Sequence, residues 1–258
     1  MTEIASRGRR RLGSSRLGGV PTSLPHAATP VPGQLALLAE PHADRGHRQI
    51  LPGVVHVIGW LGAAAQRELV EDFRVWAAPP AGLRHPRVPA GHLMSVQSVC
   101  LGWHWYPYVY AKTADDTDGA PVKPLPGSLF ELGRAAVAAA YGAESRAARS
   151  YAPDAAIVNL YAPGARLGLH QDAEEPSDAP VVTISLGDTC VFRMAGIERR
   201  SAPFCDVVLA SGDLLVFGGP NRRIYHGVPK VQGGTAPAEL GLPPGRLSIT
   251  LRETGLPA

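Results

Sequence analysis

Cysteine is scarce in this sequence, and long apolar runs are absent from it. The chain has three cysteines in 258 residues, Cys100, Cys190 and Cys205, and their spacing matches neither a zinc knuckle nor a disulfide framework. No stretch approaches the roughly 18 consecutive apolar residues of a membrane-spanning helix, and the N-terminus lacks the apolar core of a secretion signal. We therefore expect free thiols, a cytoplasmic location and no membrane contact.

Charged residues are also few. They make up 18% of the chain and apolar residues 45%, which is typical of a globular protein rather than a disordered one. The net charge is +3, but residues 1–20 alone carry +4, from five arginines and Glu3. The rest of the chain is therefore slightly acidic, and we expect only a modest attraction to phosphate from it.

The composition divides the chain into a leader and a folded part. Residues 1–35 are rich in Arg, Gly, Ser and Pro without apolar periodicity, which predicts a disordered leader. It is either a phosphate-attracting arm or a solvated extension without a function. Residues 48–255 have a suitable length for one structural domain, formed by an N-terminal extension over 48–125 and a core of one helix and many strands over 126–255.

Two helices are predicted in the first half and many short strands in the second. Apolar residues at helical spacing indicate helices in "LGAAAQRELVEDFRVWAA" and in "GSLFELGRAAVAAAYGAES". From about residue 154, brief strand-like runs alternate with turns. The predicted fold class is α+β and mainly β: a double-stranded β-helix, or jelly roll, with the N-terminal helices packed on one outer face.

The stretch "GLHQDAEEP" contains two candidate metal ligands. On an extended strand alternate side chains share a face, so His170 and Asp172 point the same way. His226 in "RRIYHGV" is the best third ligand, on a strand that we expect across the barrel. Two imidazoles and one carboxylate leave coordination positions open, as in non-haem Fe(II) sites. Taken alone, His-x-Asp is a common tripeptide, and a solvated histidine is the alternative.

A polar face on the last strand suggests an anionic ligand. Alternation in "RLSITLR" puts Arg246, Ser248, Thr250 and Arg252 on one face. Burying an unpaired cation is costly, so inward arginines indicate an anion such as a dicarboxylate, which the guanidinium fork can bind through two hydrogen bonds. The alternative is that both arginines pair with surface acids.

"IVNLY" carries polar residues in the same alternating way. Asn159 and Tyr161 share one face and offer an amide and a hydroxyl to a carboxylate. An ordinary edge strand with its polar residues outward is the alternative.

With these motifs assembled, residues 92–254 resemble the AlkB family of Fe(II)- and 2-oxoglutarate-dependent dioxygenases, which repair alkylated nucleic acids. The similar stretches are "VNLYAPGARLGLHQDAEEP", "VVTISLG", "GDLLVFGG", "YHGV" and "RLSITLR". The resemblance implies Fe(II), 2-oxoglutarate and O2 as cofactor and co-substrates. It implies iron ligands at His170, Asp172 and His226, and a 2-oxoglutarate site formed by Asn159, Tyr161, Arg246, Ser248 and Arg252. Ser248 stands where similar bacterial members have a second asparagine.

The resemblance also implies a substrate site. Within the 48–125 extension, the segment "LGWHWYPYVY" would form a nucleotide-recognition lid that includes Trp103, Tyr108 and Tyr110. This segment is two residues shorter than in similar bacterial members. Glu174 stands where an aspartate often contacts the exocyclic amine of the base. Arg199 would lie near the base pocket and Arg166 would contact phosphate, although both could instead be surface charges.

The implied activity is oxidative dealkylation of bases such as N1-methyladenine and N3-methylcytosine, with release of aldehyde, succinate and CO2. We expect a monomer acting on alkylated single-stranded DNA or RNA, with duplex DNA as a further candidate. Three alternatives are a 2-oxoglutarate hydroxylase acting on a protein or small molecule, an inactive nucleic-acid-binding module, and a zinc hydrolase. The zinc hydrolase gives the inward arginines no role.

Overall fold

The structure is a computed structural model, and it describes residues 46–88 and 90–257. The leader predicted at residues 1–35 lies outside the described residues, and the proposed boundary between the 48–125 and 126–255 segments stays a prediction. In the described ranges no helix is long and apolar enough to cross a membrane, and the longest helices have 15 residues.

Besides two short 3-10 helices, Gly219–Asn221 and Ala238–Leu240, the described part of the chain has three α-helices and thirteen strands. The helices are α1 (Ala63–Ala77), α2 (Gly127–Tyr141) and α3 (Arg146–Ser150). The strands of the first half are β1 (His47–Leu51), β2 (Val54–Val57), β3 (Gln97–Leu101), β4 (His104–Tyr106) and β5 (Val109–Ala111). Those of the second half are β6 (Ala155–Tyr161), β7 (Leu167–His170), β8 (Val181–Gly187), β9 (Thr189–Met194), β10 (Cys205–Leu209), β11 (Leu214–Phe217), β12 (His226–Gln232) and β13 (Arg246–Arg252).

The strands form two main antiparallel sheets that face each other. The seven-stranded sheet has the order β1-β2-β11-β8-β13-β6-β3, and the four-stranded sheet has the order β10-β9-β12-β7. Phe192 and Met194 of the smaller sheet pack with Leu215 and Phe217 of the larger one in a single apolar cluster. This arrangement confirms the predicted jelly roll.

The helices cover the outer face of the seven-stranded sheet. Leu247, Ile249 and Leu251 of β13 pack in one cluster with apolar residues of α1 and α2. Gly133 allows the close approach of α2, because a Cβ atom there would lie 3.1 Å from Leu251 Cδ1. The prediction of helices on one outer face is therefore confirmed, and the alternation of β13 leaves its polar residues facing the other sheet.

The predicted second helix is shorter than the sequence pattern suggested. It ends at Tyr141, because Gly142 adopts φ +87° and its N–H bonds to the carbonyl of Ala138. The chain then starts the separate helix α3, where Ser145 Oγ accepts a hydrogen bond from the N–H of Ala148. The sequence pattern also failed to predict β1, because its residues are mostly polar and exposed; among the described strands it pairs with β2 alone.

Ile249 provides a test of the core. Its side chain is fully buried in β13, whereas Val208 of β10 is 55% exposed. Ile249→Ala should lower the free energy of unfolding by about 2–5 kcal/mol, because it leaves a cavity between sheet and helices. Val208→Ala should change it by less than about 0.5 kcal/mol. Urea unfolding of both variants measures this, and equal losses would contradict the packing.

Candidate active site

Three potential metal ligands converge at one end of the smaller sheet. His170 Nε2 lies 3.6 Å from Asp172 Oδ1, and His226 Nε2 lies 3.9 Å from Asp172 Oδ2. Ligand atoms of all three residues lie within 4.8 Å of one another, close enough to hold one metal ion. Asp172 and His226 are buried, and His170 is partly exposed. The structure thus brings together the predicted His-Asp-His set.

The positions of Asp172 and His226 in the fold differ from the sequence prediction. Strand β7 ends at His170, and Asp172 follows in a loop, so strand alternation does not aim its side chain. His226 is not across the barrel but on the neighbouring strand, directly paired with His170. Antiparallel pairing places the two imidazoles side by side, with ring centroids 4.5 Å apart.

Both imidazoles have the orientation that a metal ligand needs. The Nδ1 atoms of His170 and His226 each lie 3.0 Å from a carbonyl two residues earlier, that of Gly168 and that of Ile224. A carbonyl only accepts, so Nδ1 carries the proton and the lone pair of Nε2 points towards Asp172. Burial, followed by the charge of His170, lowers the pKa of His226 to about 4, which keeps it neutral.

The carboxylate of Asp172 is kept ionised by an arginine. Burial opposes ionisation, but the charge of Arg252, whose Nη2 lies 2.7 Å from the carboxylate, outweighs it, so the pKa of Asp172 is well below its usual range. Arg252 also contacts Glu175 at 3.0 Å. The guanidinium of Arg252 is thus paired with two carboxylates, and Arg252 also lines the cavity that contains Arg246, so its implied contact with 2-oxoglutarate stays a prediction.

Arg246 has the buried, uncompensated charge that the sequence predicted. Its side chain is fully buried, and among the residues described here no carboxylate forms an ion pair with it. Nε donates to Ser185 Oγ at 2.9 Å, Nη2 to Ser248 Oγ at 3.3 Å, and Nη1 has no hydrogen-bond partner. A buried guanidinium with a free donor fits an anionic ligand.

A row of polar residues crosses the larger sheet beside Arg246. Strand register aligns Ser98, Asn159, Ser248 and Ser185 on four neighbouring strands. Ser98 Oγ donates to Asn159 Oδ1 at 2.5 Å. Tyr161 lies opposite Arg246, with its ring 5.1 Å from the guanidinium carbon. The predicted alternation of "IVNLY" and "RLSITLR" is confirmed, and the edge-strand alternative is wrong because β3 covers β6.

One cavity joins the metal ligands to Arg246. Its lining includes His170 and His226 at one side and Asn159, Tyr161, Arg246 and Ser248 at the other. Its volume is about 30 Å³, enough for about two water molecules. A larger ligand therefore requires the side chains around it to move apart. The donor set fits a dicarboxylate that contacts a metal with one end and Arg246 with the other.

The predicted lid residues occupy three different environments. Tyr108 is 69% exposed at the turn between β4 and β5, with φ +73°. Tyr110 is turned inward, where its hydroxyl donates to Glu175 and accepts from Arg252 Nη1 at 2.8 Å. Trp103 is buried, with its indole N–H donated to Asp154 and Lys112 Nζ 3.4 Å from the ring centroid. The contacts of Trp103 are thus with Lys112 and Asp154.

The remaining substrate candidates lie at or near the surface. Glu174 is half-buried, and burial with the charges of Glu175 and Asp172 raises its pKa. Arg199 is exposed on a groove of about 450 Å³ that also includes Ile197 and Phe204. The groove adjoins the metal site, because Gln171 Nε2 donates to the carbonyl of Ile197 at 2.8 Å. Arg166 is exposed, and its backbone bonds to Ser95 Oγ.

Several site residues were missed by the sequence prediction. Thr183 and Ser185 of β8 face the same side as Arg246, and alternation in "VVTISLG" could have found them. Glu175 and Arg222 had no comparable signal, because their role depends on contacts with residues far away in the sequence.

Comparison with known proteins identifies the class. Residues 53–252 match the model of the 2OG-Fe(II) oxygenase superfamily. The alpha-ketoglutarate-dependent dioxygenase AlkB of Salmonella typhimurium is 38% identical over 195 residues, which are 73% of this chain and 85% of the relative. The DNA N(6)-methyladenine demethylase ALKBH1D of Arabidopsis thaliana is 33% identical over 225 residues, 80% of this chain but only 50% of the relative. The solved structure of OsALKBH1 superposes with a TM-score of 0.73 at 31% identity, covering 81% of this chain and 100% of that one.

Fold, ligand set and these matches define an Fe(II)- and 2-oxoglutarate-dependent dioxygenase. Its cofactor is Fe(II), and its co-substrates are 2-oxoglutarate and O2. More narrowly, the chain belongs to the AlkB family.

The Asp172→Ala variant tests the metal site through metal binding, with no measurement of catalysis. The change removes one ligand and leaves Arg252 partly uncompensated beside the imidazoles, so Mn(II) affinity should fall by more than about 100-fold. Asp178→Ala is the control, since that carboxylate is exposed and pairs with Arg223. Calorimetric titration of folded protein, checked by circular dichroism, measures both. Unchanged Mn(II) binding in Asp172→Ala would refute the ligand assignment.

Proposed function

We propose that this dioxygenase removes alkyl groups from bases in DNA and RNA. The observation that carries the proposal is the shared cavity, which is lined both by the two histidines of the His-Asp-His set and by the uncompensated Arg246. AlkB-family relatives whose names state activity on DNA or tRNA support the choice of substrate.

The residues have separate tasks in this reaction. His170, Asp172 and His226 hold the iron, and the bound iron supplies the oxidation of a C–H bond by O2, coupled to conversion of 2-oxoglutarate to succinate and CO2. Arg246 binds the distal carboxylate of 2-oxoglutarate, oriented by Ser185 and Ser248. Because the Arg246 side chain is fully buried and held by two serine hydroxyls, a two-pronged contact with it fixes the co-substrate in one orientation.

Asn159 and Tyr161 complete the co-substrate site. Both line the cavity, and the ring of Tyr161 packs beside Arg246. Burial raises the pKa of Tyr161 to about 12, so its hydroxyl stays protonated and can donate to a carboxylate. Arg252 acts indirectly, by holding Asp172 ionised for the metal.

The substrate base enters from the side of the β4–β5 hairpin. A base removed from its stack requires a new apolar or aromatic surface, and the exposed Tyr108 offers one at the hairpin turn. Hydroxylation of the N-alkyl carbon gives an unstable hemiaminal, whose C–N bond breaks to release aldehyde and the restored base. Glu174, on the loop after Asp172, accepts a hydrogen bond from the exocyclic amine of the base in this proposal.

A single-stranded nucleic acid fits the charge distribution best. The first 20 positions carry a net charge of +4 and the rest of the chain a net charge of −1, so the rest has little net charge with which to hold a duplex. We further propose that the protein acts as a cytoplasmic monomer.

The lesion is N1-methyladenine or N3-methylcytosine. N6-methyladenine is a second candidate, because three relatives in Arabidopsis thaliana are named for its removal.

A panel of oligonucleotides tests the substrate class. Single- and double-stranded DNA and RNA carrying N1-methyladenine, N3-methylcytosine or N6-methyladenine are incubated with Fe(II), O2 and 2-oxoglutarate. Mass spectrometry should show loss of the methyl group, with single strands turned over faster. Succinate formation that no methylated oligonucleotide stimulates would reject the proposal in favour of a protein or small-molecule hydroxylase.

Arg246→Lys and Arg246→Met test the co-substrate site. Lysine keeps the positive charge but cannot form the two parallel hydrogen bonds of a guanidinium, so the KM for 2-oxoglutarate should rise about 10-fold. Methionine removes the charge as well, so the turnover rate should no longer saturate with 2-oxoglutarate. The control is Arg193→Lys, on a surface arginine paired with Asp206. Uncoupled 2-oxoglutarate turnover measures KM. An unchanged KM in Arg246→Met would show that the distal carboxylate binds elsewhere.

A further inference from the structure

A fully buried acid lies between the metal ligand and the β4–β5 hairpin. The side chain of Glu175 has no solvent exposure, and it contacts Arg252 Nη1 at 3.0 Å and Arg222 Nη2 at 3.3 Å. It also accepts a hydrogen bond from the hydroxyl of Tyr110 in β5. These are three polar partners on three separate segments of the chain.

The charges of this cluster balance only when Glu175 is included. Asp172 and Glu175 carry two negative charges, and Arg222 and Arg252 carry two positive charges, all of them buried. Without Glu175 the cluster has one excess positive charge beside the metal ligands. Buried charges are weakly screened, so that excess opposes the binding of a divalent cation.

The two arginines also contact both the side chain and the backbone of Asp172. Arg252 Nη2 contacts its carboxylate at 2.7 Å, and Arg222 Nη1 donates to its backbone carbonyl at 3.1 Å. Since Asp172 lies in a loop and not in a strand, these contacts supply the orientation that the sheet does not. Glu175 fixes both guanidinium groups and is the only acid paired with Arg222 in the described part of the chain.

We propose that Glu175 is a positioning residue, which aims Asp172 at the metal through Arg252 and Arg222 and joins the β4–β5 hairpin to the same cluster through Tyr110. Metal binding and ordering of the hairpin therefore reinforce each other, because both depend on one set of hydrogen bonds. The hairpin's importance for nucleic acid rests on the proposed function, but its link to the metal does not.

Metal affinity tests the electrostatic half of the proposal. Glu175→Gln preserves shape but removes the charge, and the Mn(II) affinity of the folded variant, checked by circular dichroism, should fall about 10- to 100-fold. Glu253→Gln is the matched control: that carboxylate accepts hydrogen bonds from Ala152 N–H and Ser177 Oγ and contacts neither arginine. Its Mn(II) affinity should stay within about 3-fold of the parent protein, since it lies outside the charge cluster. Equal affinity in both variants would overturn the assignment.

Hydrogen exchange tests the hairpin half. Mn(II) with 2-oxoglutarate should slow amide exchange in residues 104–111 of the parent protein. Tyr110→Phe should lose that protection, and Tyr106→Phe on the same hairpin should keep it. The result is decisive even if Glu175→Gln fails to fold. Equal protection in the two tyrosine variants, or none in the parent protein, would overturn the link.

Neither experiment uses nucleic acid, so the two proposals can fail separately. A protein that shows both effects but demethylates no oligonucleotide would support the role of Glu175 and refute the proposed substrate. A protein that demethylates oligonucleotides without either effect would do the opposite.

Discussion

The fully buried guanidinium of Arg246 is the constraint on which the account of the site depends. An ionised group without a counter-charge is expensive to bury, and the two serine hydroxyls that it contacts do not neutralise it. The fold tolerates this cost at a position that faces the metal ligands through one cavity. A dicarboxylate that binds both Arg246 and the metal would neutralise this charge. The same interaction then stabilises the protein, selects the co-substrate and holds it at the metal.

The two sheets contribute different residues to the site. The larger sheet presents Arg246 and its row of polar neighbours from rigid, fully paired strands, with helices supporting the opposite face. The smaller sheet presents the two histidines through direct pairing of β7 and β12. Asp172 is the exception, since it lies on a loop and is held by arginines. The metal site is therefore built from paired strands on two sides and from a loop held by arginines on the third.

Strand alternation made part of the site predictable from the sequence. A period of two residues assigns Asn159, Tyr161, Arg246 and Ser248 to one face whatever the surrounding fold, and that local rule was correct. The position of His226 required the correct fold, and its expected place across the barrel was wrong because strand order is a property of the whole chain. The pairing of Arg252 with Glu175 joins residues 77 positions apart, which no local pattern indicates.

A crystal structure of the protein with Mn(II) and 2-oxoglutarate tests the central claim most directly. The account predicts a metal held by His170, Asp172 and His226, with the distal carboxylate of 2-oxoglutarate in a two-pronged contact with Arg246. A co-substrate whose distal carboxylate lies elsewhere, with Arg246 unchanged against Ser185 and Ser248, would contradict it.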